Sequence, residues 1–296
     1  MDTASQAFER IDLHLHSSWS DGVLAPAELV ALAATRSVQL LALTDHDTMA
    51  GCEEARAACE AAQITFIYGS ELTSLWRGRE VHIVGLRLDP ASTALLSHLA
   101  DVRRRRRERI ESMGLKLSAN GLPGAEISAA VLAHPGSPTR LHMARELVQR
   151  GFATDENDAF KRWLGKGQPA AVAAAWPTVA ATVAAIGAAG GAAVLAHPHR
   201  YKLSAGGLRE LCAEFRDAGG AGIEVSLPGM GAGDAERLGK LARRFGLAGS
   251  CGSDFHVPGI PWRPLGRFAK LPEGVVPIAE RLKVEPVRGT LAPAAQ

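Results

Sequence analysis

The sequence predicts an α/β fold: a parallel sheet, open or closed into a barrel, interrupted by a helical insertion. Three observations carry this. Short apolar strand-like segments alternate with helix-like ones up to residue 88 and again from residue 169. The stretch from 89 to 168 carries helical patterns and no convincing strand. Histidines and carboxylates gather near the C-terminal ends of the strand-like segments, where parallel α/β folds build their sites.

In chain order, Arg10–His14 reads as a strand, and Pro26–Arg36 as a helix with its proline near the start. Gln39–Leu43 is a short apolar strand and Thr48–Ala62 a helix; Ile64–Tyr68 and Glu80–Leu86 are strands. The insertion opens with a long helix over Leu96–Asn120, then shorter ones at Ala125–Leu132, Arg140–Arg150 and Asp155–Leu164. Helices at Thr178–Ala189, Leu208–Ala218 and Ala232–Phe245 then alternate with strands at Ala192–Ala196, Gly222–Val225 and Leu247–Ser250. The division expected is a first barrel part (1–88), a helical insertion (89–168) roofing the site, and a second barrel part (169–296) whose proline-rich tail covers the barrel.

Bulk properties narrow the class. The chain has 296 residues, 47% hydrophobic and 22% charged, with a formal charge of +2. That is an ordinary globular composition, and no strong field draws it to long nucleic acid. The cysteines Cys52, Cys59, Cys212 and Cys251 form no CxxC pair, so a disulfide framework or thiolate zinc site is not expected. Cys52 and Cys59, seven apart, fall on the packed side of their helix. The N-terminal segment lacks a secretory pattern, and the apolar run Val179–Val194 is too short and too alanine-rich to span a bilayer. The expectation is a cytoplasmic enzyme with no membrane partner and no obligate protein partner.

The chemistry lies in six clusters. Asp12-Leu13-His14-Leu15-His16 leads to Asp21-Gly22. Alternation along a strand points His14 and His16 one way, and Leu13 and Leu15 the other way, toward covering helices. An HxH pair alone carries little weight, because solvated or hydrogen-bonded histidines are common. Here Thr44-Asp45-His46-Asp47 and Gly69-Ser70-Glu71 end the next two strands, and His82 sits within the fourth. Ala196-His197-Pro198-His199-Arg200 and Gly252-Ser253-Asp254-Phe255-His256 follow later ones. The candidate metal ligands are His14, His16, Asp21, His46, Glu71, His82, His197, Asp254 and His256. One ion needs four to six ligands, so this set suggests two or three divalent ions, with Glu71 as a bridge. Nitrogen and oxygen donors without thiolate suit manganese first, with iron or zinc as alternatives. Asp45 and Asp47 are candidates for orienting His46 or capping the next helix.

The ordered motifs HLHSSWSDG, TDHD, GSE, EVHIVG, AHPHR and GSDFH resemble the polymerase and histidinol phosphatase (PHP) family of the amidohydrolase superfamily. That resemblance implies a distorted (β/α)7-type barrel with a trinuclear site. It puts His14, His16, Glu71 and Asp254 on one ion, Glu71, His82 and His197 on a second, and Asp21, His46 and His256 on the third. His134 also sits in an Ala-His-Pro context, but within the insertion, and ranks below His197.

With no nucleophile elbow and no P-loop, the expected nucleophile is metal-activated water. Asp254 is the candidate proton relay and His199 the candidate for assisting the leaving alkoxide, a structural or solvent-facing His199 being the alternative. Arg200 and Arg140 are candidate phosphate binders; Arg140 opens an insertion helix, and a purely surface arginine is the other reading. The segment Thr139–Arg145, with Leu164-Gly165-Lys166-Gly167, resembles the subgroup of the family acting on small nucleotide phosphates. This implies a phosphomonoesterase releasing the 3'-phosphate of nucleoside 3',5'-bisphosphates, such as adenosine 3',5'-bisphosphate to AMP. The alternatives are a 5'-to-3' exonuclease on short RNA, a histidinol phosphate phosphatase, and a non-catalytic metal-binding module. The run Arg103–Arg107 reads as a solvated helix balanced by Asp101, Glu108 and Glu111, because five consecutive helical residues point all round the axis. Trp19, Trp76, Trp163, Trp176 and Trp262 read as core first and base-stacking second.

Overall fold

The structure is a computed structural model that describes residues 8–260 and 264–285. Seven strands run in sequence order around one sheet: β1 (Ile11–Asp12), β2 (Leu40–Leu43), β3 (Thr65–Trp76), β4 (Arg79–Leu86), β5 (Ala192–Leu195), β6 (Gly222–Ser226) and β7 (Ala248–Cys251). The sheet curls until β7 meets the segment after β1. Leu13 N–H donates to Cys251 O at 3.3 Å, Asp254 N–H to His14 O at 2.8 Å, and Leu15 bridges Phe255. The result is a nearly closed, distorted barrel of seven strands with helices outside.

The all-parallel expectation fails at one strand. β4 runs antiparallel to both β3 and β5, whereas every other pairing is parallel. Trp76 pairs with Arg79 across a two-residue turn, Arg77-Gly78, whose φ angles are 46° and 74°. Two left-handed residues give the turn twist that suits a tight hairpin, and Gly78 supplies one at no steric cost. β3 therefore runs on to Trp76 instead of stopping near Tyr68, and Glu71 sits in its middle. Because β4 is reversed, His82 reaches the same end of the barrel from the strand's first half.

The outer helices of the first half are α1 (Pro26–Thr35) and α2 (Cys52–Ala61). Ala25 N–H donates to Glu28 at 2.9 Å and Pro26 opens α1. α2 starts four residues later than expected, because Thr48–Gly51 is spent in a turn. Cys52 and Cys59 are buried free thiols in one cluster with Leu29, Val30, Leu41 and Leu43, as their spacing predicts. Regular pairing of β1 ends at Asp12, and the expected alternation breaks there. Leu15 joins the cluster under α1 and α2, but Leu13 joins Leu40, Ala42, Val84 and Val194 in another.

The insertion contains α3 (Thr93–Ala119), α4 (Gly124–Ala133), α5 (Arg140–Gln149) and α6 (Glu156–Ala159), the last continued by a π-helical turn over Phe160–Leu164. Its own core holds Ile110, Met113, Leu117, Ile127, Met143 and Leu147. The first turns of α3 belong elsewhere: Leu95 and Leu99 pack with Val179 and Val183 of α7 (Val179–Ala188). One helix thus joins the insertion to the barrel. The second half adds α8 (Ala205–Asp217), α9 (Ala232–Phe245) and α10 (Ile278–Leu282). α10 lies in the tail expected to cover the barrel, though no helix was expected there, and it sets Ile278 and Leu282 among the barrel residues Leu13 and Val194. Among the described residues, no helix is long and apolar enough to cross a membrane.

Candidate metal centre

Buried carboxylates fold the loops that carry the histidines. Asp12 accepts the N–H groups of Ser253 and Gly266, each at 2.8 Å, and so ties β1 to the chain after β7. Asp45 accepts Ser17 N–H at 2.7 Å and the hydroxyls of Ser17 and Ser20, each at 2.6 Å, and so curls the loop from His16 to Asp21. Gly252 permits a close crossing, since a Cβ there would lie 2.3 Å from the Cβ of His14. Neither Asp45 nor Asp47 caps α2, whose N-cap is Gly51. Asp47, His197 and Asp254 hold left-handed φ angles of 51°, 30° and 49°. Such backbone strain in non-glycine residues concentrates at functional sites.

The nine candidate residues form one cluster around Glu71, which is fully buried. Its Oε1 lies 2.9 Å from His82 Nδ1 and 2.9 Å from His197 Nε2. Its Oε2 lies 3.3 Å from His14 Nε2, 3.2 Å from His16 Nε2 and 3.1 Å from His46 Nδ1. Asp254 Oδ1 approaches His14 and His16 at 3.6 and 3.4 Å. Asp21 stands beyond them, 3.2 Å from His256 Nε2 and 3.7 Å from His46 Nε2. Burial alone would raise the pKa of Glu71, but the imidazoles of His46, His82 and His14 outweigh it and hold the carboxylate well below its ordinary range. Asp254 is held down in the same way, burial being overcome by His14, His16, His256 and Arg200.

The donor atoms fit divalent cations. The two imidazole nitrogens of His14 and His16 face each other at 3.1 Å. Among the described residues, Asp21 Oδ1, His46 Nδ1, Glu71 Oε2 and His197 Nδ1 are buried without a hydrogen-bond partner. Orphaned buried acceptors are costly, and a shared cation satisfies several at once. Among the described residues, three sets have donor atoms within 4.8 Å of one another: His14, His16, Glu71 and Asp254; His46, Glu71 and His82; and His16, Asp21, His46 and His256. The first coincides with the grouping that the family resemblance implies. The other two share His46 and His16 more widely, and His197 stands outside them while touching Glu71.

The remaining candidates are spread around this cluster. Arg200 turns back and donates to Asp254. His199 makes no hydrogen bond or ion pair to a cluster residue among the described residues, and its Nδ1 is buried without a partner. Burial, then Arg200 and His197, lowers its pKa to about 4. His134 lies at the end of α4 against His142, ring centroids 5.0 Å apart, and is not in the cluster. Arg140 opens α5, lies 3.4 Å from Glu80 and covers the Phe160 ring at 5.7 Å. It lines a cavity of about 400 Å³ with Arg109, Lys166, Glu80 and Trp176. Glu80 Oε1 is 3.7 Å from His82 Nε2, so the cavity adjoins the histidine cluster. Trp76 and Trp176 are buried, Trp19 and Trp163 are partly buried, and Trp262 lies outside the described residues.

Several residues of the site escaped sequence reasoning. Glu224 accepts His14 Nδ1–H at 2.8 Å and His197 N–H at 2.5 Å, which fixes the first ring with Nε2 toward Glu71. A single carboxylate in the apolar strand Gly222–Ser226 was its one signal. Glu80 collects Arg109 at 3.0 Å and Trp176 Nε1–H at 2.7 Å. The run Arg103–Arg107 is not wholly solvated: Arg104 and Arg105 pair with Asp101 and Glu108 as expected, but Arg106 is buried against Asp47 at 2.6 Å. The helix turns that one arginine inward, where a partner from a distant segment offsets its burial.

Known proteins share this architecture. A sequence profile of the PHP domain matches residues 12–135. A 5'-3' exoribonuclease of Haemophilus influenzae is 41% identical over 273 residues, which is 92% of this chain and 99% of that protein. A 3',5'-nucleoside bisphosphate phosphatase of Chromobacterium violaceum is 40% identical over 279 residues, 94% of this chain and 98% of that one. Among solved structures, an amidohydrolase from Chromobacterium violaceum with bound sulfate and no metal has a TM-score of 0.87 and 39% identity, covering 94% of this chain and 99% of that one. With such relatives along nearly its whole length, and a histidine and carboxylate cluster that could hold metal ions, the chain belongs to the PHP-domain family and is a metal-dependent phosphoesterase.

Proposed function

We propose that this enzyme removes the 3'-phosphate of nucleoside 3',5'-bisphosphates, with adenosine 3',5'-bisphosphate as the reference substrate and AMP and phosphate as products. The observation that carries the reading is the basic cavity beside the cluster. Arg109, Arg140 and Lys166 line it with Trp176, and Glu80 links it to His82. One end of a substrate meets cations and the other meets guanidinium and ammonium groups, which suits a small molecule with two phosphates and a ring between them.

The nine residues His14, His16, Asp21, His46, Glu71, His82, His197, Asp254 and His256 would hold two or three ions, manganese first and iron or zinc as alternatives. Bound ions would polarise the phosphate and bring the pKa of a coordinated water toward neutrality. The protein's own groups do the rest. Glu71 presents both oxygens to histidines, so it can bridge. Asp254, held ionised by the histidines and by Arg200, would hold a cation and could carry a proton only in passing, as a relay. His199 is neutral near pH 7, so it could assist the leaving alkoxide only by passing on the proton that the attacking water gives up. Arg140 anchors the second phosphate, and Arg200 offers its remaining donors to the first.

A 5'-to-3' exonuclease acting on short RNA is the second reading. It is favoured by the Haemophilus influenzae relative's name and by a further groove beside the cavity, lined by Arg104, Arg105 and Arg109. Phosphate and nucleotide release with manganese decides between them, comparing adenosine 3',5'-bisphosphate, a short 5'-phosphorylated RNA and histidinol phosphate, with Asp254→Asn as control. Turnover of the bisphosphate that Asp254→Asn abolishes supports the proposal. Much faster release from RNA replaces it with the exonuclease, and metal binding without hydrolysis of any substrate leaves a non-catalytic module.

A further inference from the structure

We infer that Arg106 is a positioning residue, through which the helical insertion sets the geometry of the histidine and carboxylate cluster. This deepens the metal-centre reading and rests on it. Arg106 is 7% exposed, a rare state for an arginine, and its guanidinium joins four separate segments. Nε donates to Asp47 Oδ2 at 2.6 Å. Nη2 donates to Thr73 Oγ1 at 2.6 Å. Nη1 donates to Pro138 O at 3.3 Å, and the guanidinium stands over the Trp176 ring at 5.5 Å.

Each contact leads to a part of the site. Asp47 follows His46 directly, and its N–H donates to Glu71 O at 2.9 Å. Its carboxylate accepts Thr73 N–H at 2.7 Å and Thr73 Oγ1–H at 2.8 Å. Thr73 is two residues beyond Glu71 on β3, on the same face of the strand. Arg106, Asp47 and Thr73 therefore form a closed triangle that fixes the spacing of His46 from Glu71. Asp47 is held there with a φ of 51°, a conformation that the surroundings must enforce. On its other side Arg106 holds Pro138, just ahead of the Thr139 cap of α5 that presents Arg140, and Trp176, which walls the cavity. One side chain thus registers the cluster against the cavity.

A merely structural arginine would stabilise the fold and leave the cluster's affinity alone. Manganese titration of the full chain by calorimetry, with the electron paramagnetic resonance spectrum of bound manganese, separates the two roles. Arg106→Met should weaken at least one manganese site about 10- to 100-fold and broaden the spectrum. Thr73→Val, which removes one corner of the triangle, should act in the same direction. Arg106→Lys should recover part of the affinity, since an ammonium can meet Asp47 but cannot reproduce the planar fork. The Michaelis constant for the bisphosphate should rise in Arg106→Met as well. Wild-type protein that binds no manganese overturns the metal-centre reading itself. Wild-type binding with unchanged affinities in folded Arg106→Lys and Thr73→Val overturns the role of Arg106 alone, even where Arg106→Met does not fold.

Discussion

His46 Nδ1 and Glu71 Oε2 face each other at 3.1 Å, both buried, and neither makes a hydrogen bond among the described residues. Oε2 also faces His14 and His16, and Oε1 faces His82 and His197. Five imidazoles share one carboxylate, so its charge governs the whole cluster. Glu71→Gln keeps the shape, removes the charge and turns a donating amide toward nitrogen ligands. Manganese stoichiometry should fall by at least one ion and kcat by about 1000-fold, roughly 4 kcal/mol of lost transition-state stabilisation. Full stoichiometry in the variant, measured by metal analysis after gel filtration, would remove Glu71 from the bridging role.

Stability should follow metal loading. Glu71, Asp254 and Asp21 bring negative charge into one buried region, and cations that bind only the folded state offset its cost. Manganese at about 100 times its dissociation constant adds about 2.7 kcal/mol through one site. The melting temperature of chelated protein should then rise by roughly 5 °C on addition of manganese. Calorimetric scans with and without a chelator test this, and identical scans would count against cation binding by the folded chain.

Arg140 should control substrate binding without controlling chemistry. Its side chain is part-exposed in the cavity and is held by Glu80 and Phe160, away from the Glu71 hub. Losing hydrogen bonds to a charged phosphate costs about 1.5–3 kcal/mol. Arg140→Ala should raise the Michaelis constant for adenosine 3',5'-bisphosphate about 10- to 100-fold with kcat nearly unchanged. An aryl phosphate without a second phosphate should be hydrolysed equally by both proteins. Equal loss on both substrates would show that Arg140 serves the cluster and not the distal phosphate.

The division between legible and illegible residues has a physical basis. His14 with His16, and Asp254 with His256, lie two apart in sequence, so each pair announces itself as a motif even though both lie beyond the regular strands. Strand ends then bring such pairs to one place, which makes their convergence readable. Glu224, Glu80 and Arg106 are single residues whose partners arrive from distant segments. No spacing announces them. The β3–β4 hairpin is hard to read because the ligand motif Gly-Ser-Glu looks like a strand end, whereas β3 continues through Leu72–Trp76. The Arg77-Gly78 turn, with no helix between two strand patterns, was the available warning. α2 lost its first turn because Asp47, expected to orient or cap, is committed to Thr73 and Arg106 instead.

His142 should make the insertion sensitive to acid. Its Nδ1 accepts Thr139 N–H at 3.0 Å, closing the reciprocal cap at the start of α5. Burial, opposed by Asp21 and reinforced by His134 and Arg145, lowers its pKa from 6.5 to about 4. The unfolded chain therefore binds a proton between these values that the folded chain refuses. Stability from this group is complete above pH 6.5, falls as the pH drops toward 4, and levels off below. The loss is about 3 kcal/mol at most. His142→Gln keeps a side-chain acceptor at the capping position and cannot titrate. Urea unfolding across pH 4 to 7 should show a shallower decline for the variant than for wild type, the two curves converging toward acid. Parallel curves would mean that the native helix accommodates a charged imidazole, and that the cap does not depend on a neutral His142.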